Sequence, residues 1–246
     1  TPEFETIYCN ADAKFTLQYP LMLAPIRLNE PEDVVLRKVR VVARFIDILI
    51  ARRLWHNRSV DYSTMQYAMF LVIKDIRELD APALADRLAA YLEKETSAFS
   101  AEDRIGYMTM NQKTLRRFLA RMTAWVETRA GMADRLGEYL RSAGVDGYDI
   151  EHIWADRPER HTDEFSHPRD FAETRNLIGG LLLLPKKFNR SYGDLPYRDS
   201  AKSPEEQKYT HYDGQNLLAR SLHEIAYAHN PGFKALIQNT GLKFKP

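Results

Sequence analysis

A mainly α fold carrying a small β-β-α insert is what the 246-residue sequence predicts, and three observations carry that expectation. Apolar residues recur at helical spacing in the first half, as in Val35, Val39, Val42, Phe45, Ile46, Leu49 and Ile50. Gly144 and Gly147 then break the helical pattern ahead of a short aromatic and β-branched run, Tyr148 to Ile153. Leu181 to Leu184 is a four-residue apolar run between Gly179-Gly180 and Pro185, too short for a helix.

The elements follow in order. Thr1-Pro-Glu-Phe enters abruptly, as a piece of a longer protein would, and leads into an extended opening. Asn29-Glu-Pro-Glu-Asp reads as a helix start, with Asn29 as the cap and the acids suited to the positive helix end. Further helices are expected from Asp61 to Arg77, Pro82 to Glu95, Asn111 to Arg129 and Met132 to Ser142, the last two parted near Gly131. Residues 154–176 are polar and Pro-punctuated, which reads as an irregular excursion between two strands. Pro185 suits the first position of a helix. A polar stretch from Arg198 to Tyr212 precedes a final helix near Gln215–Ala228, ended by Asn230-Pro231-Gly232. The expected organisation is a helical domain over 1–143, the β-β-α element over 144–200, and a C-terminal helical segment over 201–246 that packs on it.

Composition bounds the function. With 44% hydrophobic and 28% charged residues the chain is globular rather than disordered. A single cysteine, Cys9, excludes an internal disulfide and a cysteine-rich metal site, and a reducing cytoplasm is the expected home. The longest apolar segment, Val39 to Leu54, is interrupted by Arg40, Arg44, Asp47, Arg52 and Arg53, so no membrane span is expected. Net charge is only +1, but residues 111–143 carry 7 Lys/Arg against 3 Asp/Glu, and residues 214–246 carry 4 against 1. Two basic blocks therefore flank the β-β-α stretch, and local positive surface is what a DNA duplex needs.

The stretch itself places a histidine at the end of a short strand, then a second strand, then a helix start bearing an asparagine. Cleaving a phosphodiester requires a base for water, a cation for the developing charge, and a held substrate. His152 suits the base, since an ordinary histidine is neutral near pH 7 and can accept a proton. A hard cation such as Mg²⁺ (or Mn²⁺) prefers oxygen ligands, which Glu151 and Asn189 can supply. Adjacent strand residues point to opposite faces, so Glu151 and His152 divide these tasks. Asn189 lies just after Pro185, where Lys186, Lys187 and Arg190 add positive charge. Lys113, Arg116, Arg117 and Arg121 lie along one side of the Asn111–Arg129 helix and are candidates to track a DNA backbone.

These motifs resemble a known family. Asp149-Ile-Glu-His-Ile153, then Ile178-Gly-Gly-Leu-Leu-Leu-Leu-Pro-Lys-Lys-Phe-Asn-Arg190, then Leu195-Pro-Tyr-Arg198, are similar to the HNH (ββα-metal, or His-Me finger) nuclease domain of GmrSD-type modification-dependent restriction enzymes. Phe15-Thr-Leu-Gln-Tyr-Pro-Leu21, Phe45-Ile-Asp-Ile48 and Gln215-Asn-Leu-Leu-Ala-Arg-Ser-Leu222 are similar to helical segments around that nuclease. The resemblance implies a metal-dependent DNA endonuclease or nickase used in phage defence. His152 is then the general base, Asn189 a metal-site residue and Glu151 the acidic neighbour that helps hold the cation. It also implies double-stranded DNA as substrate, an N-terminal ParB-like nucleotide-using domain as partner, and a phosphorothioate-sensing branch or one sensing modified cytosine. One position departs: the family usually has Gly-Asn before the leucine run, where this chain has Gly179-Gly180. Asn176 is the residue expected to substitute. The alternative is a DNA-binding or regulatory helical module whose catalytic site has decayed.

Other candidates read as structural. His161 and His167 have no cysteine near them and belong to a solvated loop rather than a zinc site. Trp55, within Arg52-Arg-Leu-Trp-His-Asn-Arg58, is expected in the helical core, and His211, His223 and His229 are expected to be structural or exposed.

Overall fold

Helical spacing and short polar caps account for most of the architecture of the protein, seen in a computed structural model that describes residues 5–95, 99, 100, 104–141, 144, 146–223 and 225–240. The chain divides into two compact units, Thr1–Asp103 and Arg104–Pro246.

The first unit holds α1 (Glu5–Asp12), α2 (Gln18–Leu23), α3 (Glu32–Trp55), α4 (Tyr62–Ile76) and α5 (Ala81–Lys94). The long α3 is its spine and packs against α1, α2 and α5. Its periodic residues Val42, Phe45, Ile46, Leu49 and Ile50 are buried with Phe15, Leu21, Met65, Met69, Val72 and Leu84, the burial that lets an amphipathic helix persist. The expected extended opening is instead helical, and the buried Asn10 of α1 donates from Nδ2 to the Ala43 carbonyl at 3.2 Å. Asn29 does not cap α3. Its φ of 63° places it in the left-handed region, as asparagine in a turn tolerates, and Pro31 stands at the cap position. Trp55, expected in the helical core, is only half-buried, in an edge-on contact with the exposed Phe99. Arg52 donates to the Leu92 carbonyl, Arg53 to the Ser59 carbonyl, and Arg58 pairs with Glu95.

In the second unit, α6 (Gln112–Arg129) is capped by the Asn111 side chain, which accepts from the Lys113 and Thr114 amides. The helix expected over Met132–Ser142 reduces to α7 (Leu136–Tyr139), and Ser142 lies outside the described residues. Gly131, with φ 82°, turns the chain sharply after α6. Strands β1 (Tyr148–His152) and β2 (Leu181–Pro185) pair antiparallel, from Tyr148 opposite Pro185 to His152 opposite Leu181. A lone two-stranded ribbon is marginal in water. Here α6, α9 (Lys186–Tyr192) and α11 (Leu217–Arg220) all pack on β2, so its four leucines are buried on both faces. Helices α6 and α7 thus share the second compact unit with the strands.

The connection between the strands is not irregular. Trp154, His161, Phe165 and Phe171 form an aromatic cluster, with His161 against Trp154 at 4.8 Å and Phe171 at 5.0 Å. That cluster seats α8 (Pro168–Arg175), whose cap is His167, with Nδ1 accepting from the Arg169 amide at 3.0 Å. His161 is thus part of a packed cluster, while His167 is an exposed helix cap. Pro185 closes β2 with an extended ψ of 135° and precedes the helix instead of opening it.

The C-terminal part holds α10 (Lys208–His211), α11, α12 (Ile225–His229) and α13 (Pro231–Thr240). The single helix expected over Gln215–Ala228 is two short pieces. Asn230 and Pro231 both end α12 and start α13, because the Asn230 side chain accepts from the Phe233 amide at 2.9 Å. The fully buried Glu127 joins α6 to α7 and α11, accepting from the Tyr139 hydroxyl at 2.7 Å and the Leu217 amide at 3.1 Å.

Candidate active site

His152 is the last residue of β1, and its ring is fixed by a residue outside the strands. Its Nε2 lies 2.9 Å from Asn176 Oδ1. The Asn176 amide has its own orientation set, because Nδ2 donates to the Ala172 carbonyl at 2.6 Å. Oδ1 is therefore the atom facing the ring, Nε2 carries the proton, and Nδ1 is left with the lone pair. The Tyr107 ring meets the imidazole edge-on at 4.8 Å. Burial, reinforced by the nearby Arg175 guanidinium, pushes the His152 pKa down to about 4, against the opposing effect of the hydrogen bond that Nε2 donates to Asn176. The ring is thus neutral at physiological pH and able to accept a proton at Nδ1.

Asn176 is itself held by main chain. Tyr107 N donates to the Asn176 carbonyl and Ile178 N to the Ile105 carbonyl, both at 2.8 Å, around a bridge between Gly106 and Leu177. A Cβ at residue 106 would lie 1.8 Å from the Asn176 carbonyl oxygen, so only glycine permits this approach. Gly180 obeys the same logic. A Cβ there would lie 2.6 Å from the Arg175 carbonyl oxygen, so the end of α8 excludes any side chain where the resembling sequences carry asparagine. The crowding that removes a carboxamide at 180 comes from the segment that delivers one at 176.

With this geometry in place, comparison with known proteins is decisive: residues 84–226 match the GmrSD restriction endonucleases, C-terminal domain. The chain belongs to the GmrSD restriction endonuclease family. No curated protein and no solved structure matches it. GmrSD membership indicates a restriction nuclease, and the matched stretch contains His152, Asn176, Glu151 and Asn189.

Within this GmrSD domain, Glu151 points away from His152, as strand alternation requires. Its carboxylate is 5% exposed and accepts from Lys208 Nζ at 2.6 Å and from the Tyr212 hydroxyl at 3.3 Å. Burial raises the Glu151 pKa, and the Lys208 ammonium pulls against that shift. Asn189, on α9, donates from Nδ2 to the Ile150 carbonyl at 3.0 Å and so braces β1. Among the described residues no group of three or more His, Cys, Asp or Glu side chains could hold a metal ion.

The predicted basic residues divide. Lys113, Lys187 and Arg190 are exposed, with the Lys187 ammonium 5.0 Å from the Phe188 ring centre. Lys186, Arg117 and Arg121 are partly buried, and Arg116 donates to the Leu140 carbonyl at 2.9 Å, a structural use of its charge. Lys208, Tyr212, Tyr107 and Arg175 were not singled out by sequence reasoning. Asn176, Lys208 and Tyr212 stand 24, 57 and 61 residues along the chain from the His152 or Glu151 side chain that each one meets, a range that local pattern does not reach. No helix among the described residues is long and apolar enough to cross a membrane.

Proposed function

We propose that this chain is the DNA-cleaving region of a modification-dependent restriction protein, an HNH-type ββα nuclease with His152 as general base. The observation that carries this reading is the His152–Asn176 hydrogen bond, which leaves a neutral imidazole with its Nδ1 lone pair available. In the reaction, Nδ1 takes a proton from water as the water oxygen attacks phosphorus. The bond from phosphorus to the 3′ oxygen breaks, and that oxygen leaves to take up a proton, giving 5′-phosphate and 3′-hydroxyl ends. An approaching phosphate anion raises the His152 pKa from its low resting value, strengthening the base when substrate is present. Lys113, Lys187 and Arg190 are the exposed cations offered to the duplex backbone.

Nucleases of this type usually use a divalent metal, and Mg²⁺ (or Mn²⁺) is part of this proposal; such an ion would stabilise charge on the phosphate and leaving oxygen. Asn189 fits, because its bond to Ile150 uses Nδ2 and turns Oδ1 outward from that contact. Glu151 does not fit as arranged, since an ammonium already neutralises its buried carboxylate. No catalytic step is assigned through that pair of residues.

The test is nicking of supercoiled plasmid with Mg²⁺ or Mn²⁺, beside EDTA and beside His152→Ala. A well-folded His152→Ala protein that nicked as fast as the parent would overturn the assignment. Comparing phosphorothioate-bearing with cytosine-modified DNA assigns the branch, and adding a ParB-like domain tests regulation in trans.

A further inference from the structure

The buried pair beside the base has a role of its own to fill. Lys208 comes from α10, a four-residue helix in an otherwise polar connection, yet it is 2% exposed. Main chain holds it there, with Lys208 N donating to the Pro196 carbonyl at 2.9 Å and Tyr209 N to the Tyr197 carbonyl at 3.2 Å. Its ammonium donates to Glu151 Oε1 at 2.6 Å and also to the His152 main-chain carbonyl at 2.8 Å. His152 is therefore gripped at two points, the ring by Asn176 and the backbone by Lys208.

Two charges taken out of water add little net stability compared with well-packed apolar residues, so stability alone does not account for an ion pair at this point. A cation at the end of β1 fixes the direction in which the imidazole leaves the strand. The same cation stands on the one carboxylate next to the base, and a divalent ion entering there would face an ammonium 2.6 Å from its ligand.

Resting on the nuclease reading above, we propose that Lys208 is a positioning residue for His152, and that it is the resident cation of Glu151, which is consequently not a metal ligand. Lys208 orients the base through the His152 carbonyl and does not touch the reacting atoms.

The experiment compares the full chain with Lys208→Met, Lys208→Arg, Glu151→Gln and the double variant Glu151→Gln/Lys208→Met. Mn²⁺ binding is followed by its paramagnetic signal in the absence of DNA, and plasmid nicking is resolved into kcat and KM. Glu151→Gln is expected to bind Mn²⁺ within about twofold of the parent. Lys208→Met is expected to lose about 10- to 100-fold in kcat with KM nearly unchanged, as a misplaced catalytic group does, and Lys208→Arg to recover part of it. The double variant leaves no unpaired buried charge, so it keeps the test open if Lys208→Met fails to fold, and it is expected to show the same kcat loss. A tenfold or greater weakening of Mn²⁺ by Glu151→Gln overturns the proposal, as does a parent-like kcat in the double variant. A parent that binds no Mn²⁺ yet cuts supports it. Failure to cut at all removes the nuclease reading instead, leaving the Mn²⁺ comparison to judge Glu151.

Discussion

Each of the two compact units buries a lysine, and the two are held by the same pair of acceptor types. In the first unit Lys38 is fully buried and donates to the Pro25 carbonyl at 2.7 Å and to Glu30 Oε1 at 2.5 Å. In the second, Lys208 donates to the His152 carbonyl at 2.8 Å and to Glu151 Oε1 at 2.6 Å. The difference lies in what the carbonyl belongs to. Lys38 closes the turn that leads into α3, next to the left-handed Asn29, and no candidate catalytic group is near it in sequence. Lys208 closes on the residue that bears the proposed base. One electrostatic device serves folding in one place and, by our proposal, aim in the other.

The strongest way to break that contrast is to remove the base. His152→Ala is expected to cut plasmid nicking by at least about 10²- to 10⁴-fold, the usual worth of general-base catalysis. Circular dichroism should show the fold retained. Next come the lysines themselves. Lys208→Met strands the buried Glu151 carboxylate and should lose about 3–5 kcal/mol in urea unfolding, whereas Lys38→Met leaves the partly exposed Glu30 without its cation and should lose less. Assayed below both melting temperatures, only the Lys208 variant should lose kcat; an equal loss in the Lys38 variant would erase the distinction.

Gly180 offers a smaller steric test. Gly180→Asn restores the letter usual in the resembling sequences but drives a Cβ against the Arg175 carbonyl. We expect a loss of about 1–3 kcal/mol from overpacking, with lower nicking because α8 and Asn176 are displaced. Stability and activity equal to the parent's would show that the carboxamide at 176 had not taken over that function.

Protonation provides the next measurement. His152 has a folded pKa of about 4, below the 6.5 of an ordinary histidine. As pH falls, the unfolded chain therefore takes up this proton first. Its contribution lowers stability between pH 6.5 and about 4, by about 2 kcal/mol once partial exposure is discounted, and is absent above that window. The acid limb of kcat/KM for the free enzyme should likewise lie near pH 4 rather than 6.5. Asn176→Asp places a negative charge on the ring and should move that limb upward; an unmoved limb would exclude His152 as its source.

The smallest effects belong to the exposed cations. Lys187→Ala and Arg190→Ala should each weaken DNA binding similarly for all sequences and reduce the slope of log affinity against log salt by about 1. Arg116→Ala, whose charge serves the Leu140 carbonyl, should cost stability instead.

Much of the fold is legible in the sequence. The spacing from Val42 to Ile50 specifies α3, Asn111 marks the start of α6, and the glycines around residue 144 and the leucine run locate both strands. Helix α8 is stabilised by an aromatic cluster drawn from residues 154 to 171, contacts that a local window does not contain, and α7 is a single turn, Leu136–Tyr139. The site shows the same division. His152, Glu151 and Asn189 could be named from their order, and Asn176 from its proximity to the Gly180 departure. Lys208 could not, because nothing within α10 marks it as the partner of β1.

What the sequence by itself determined is therefore the helical class, the strand–strand–helix order and the histidine at the strand end. Each follows from short-range periodicity, chain breakers and residue chemistry. The tertiary structure decided the rest: which nitrogen of His152 keeps its lone pair, why residue 180 has no side chain, and which cation Glu151 serves. These depend on groups many residues apart brought within 3 Å, where burial removes the water that would otherwise have satisfied them.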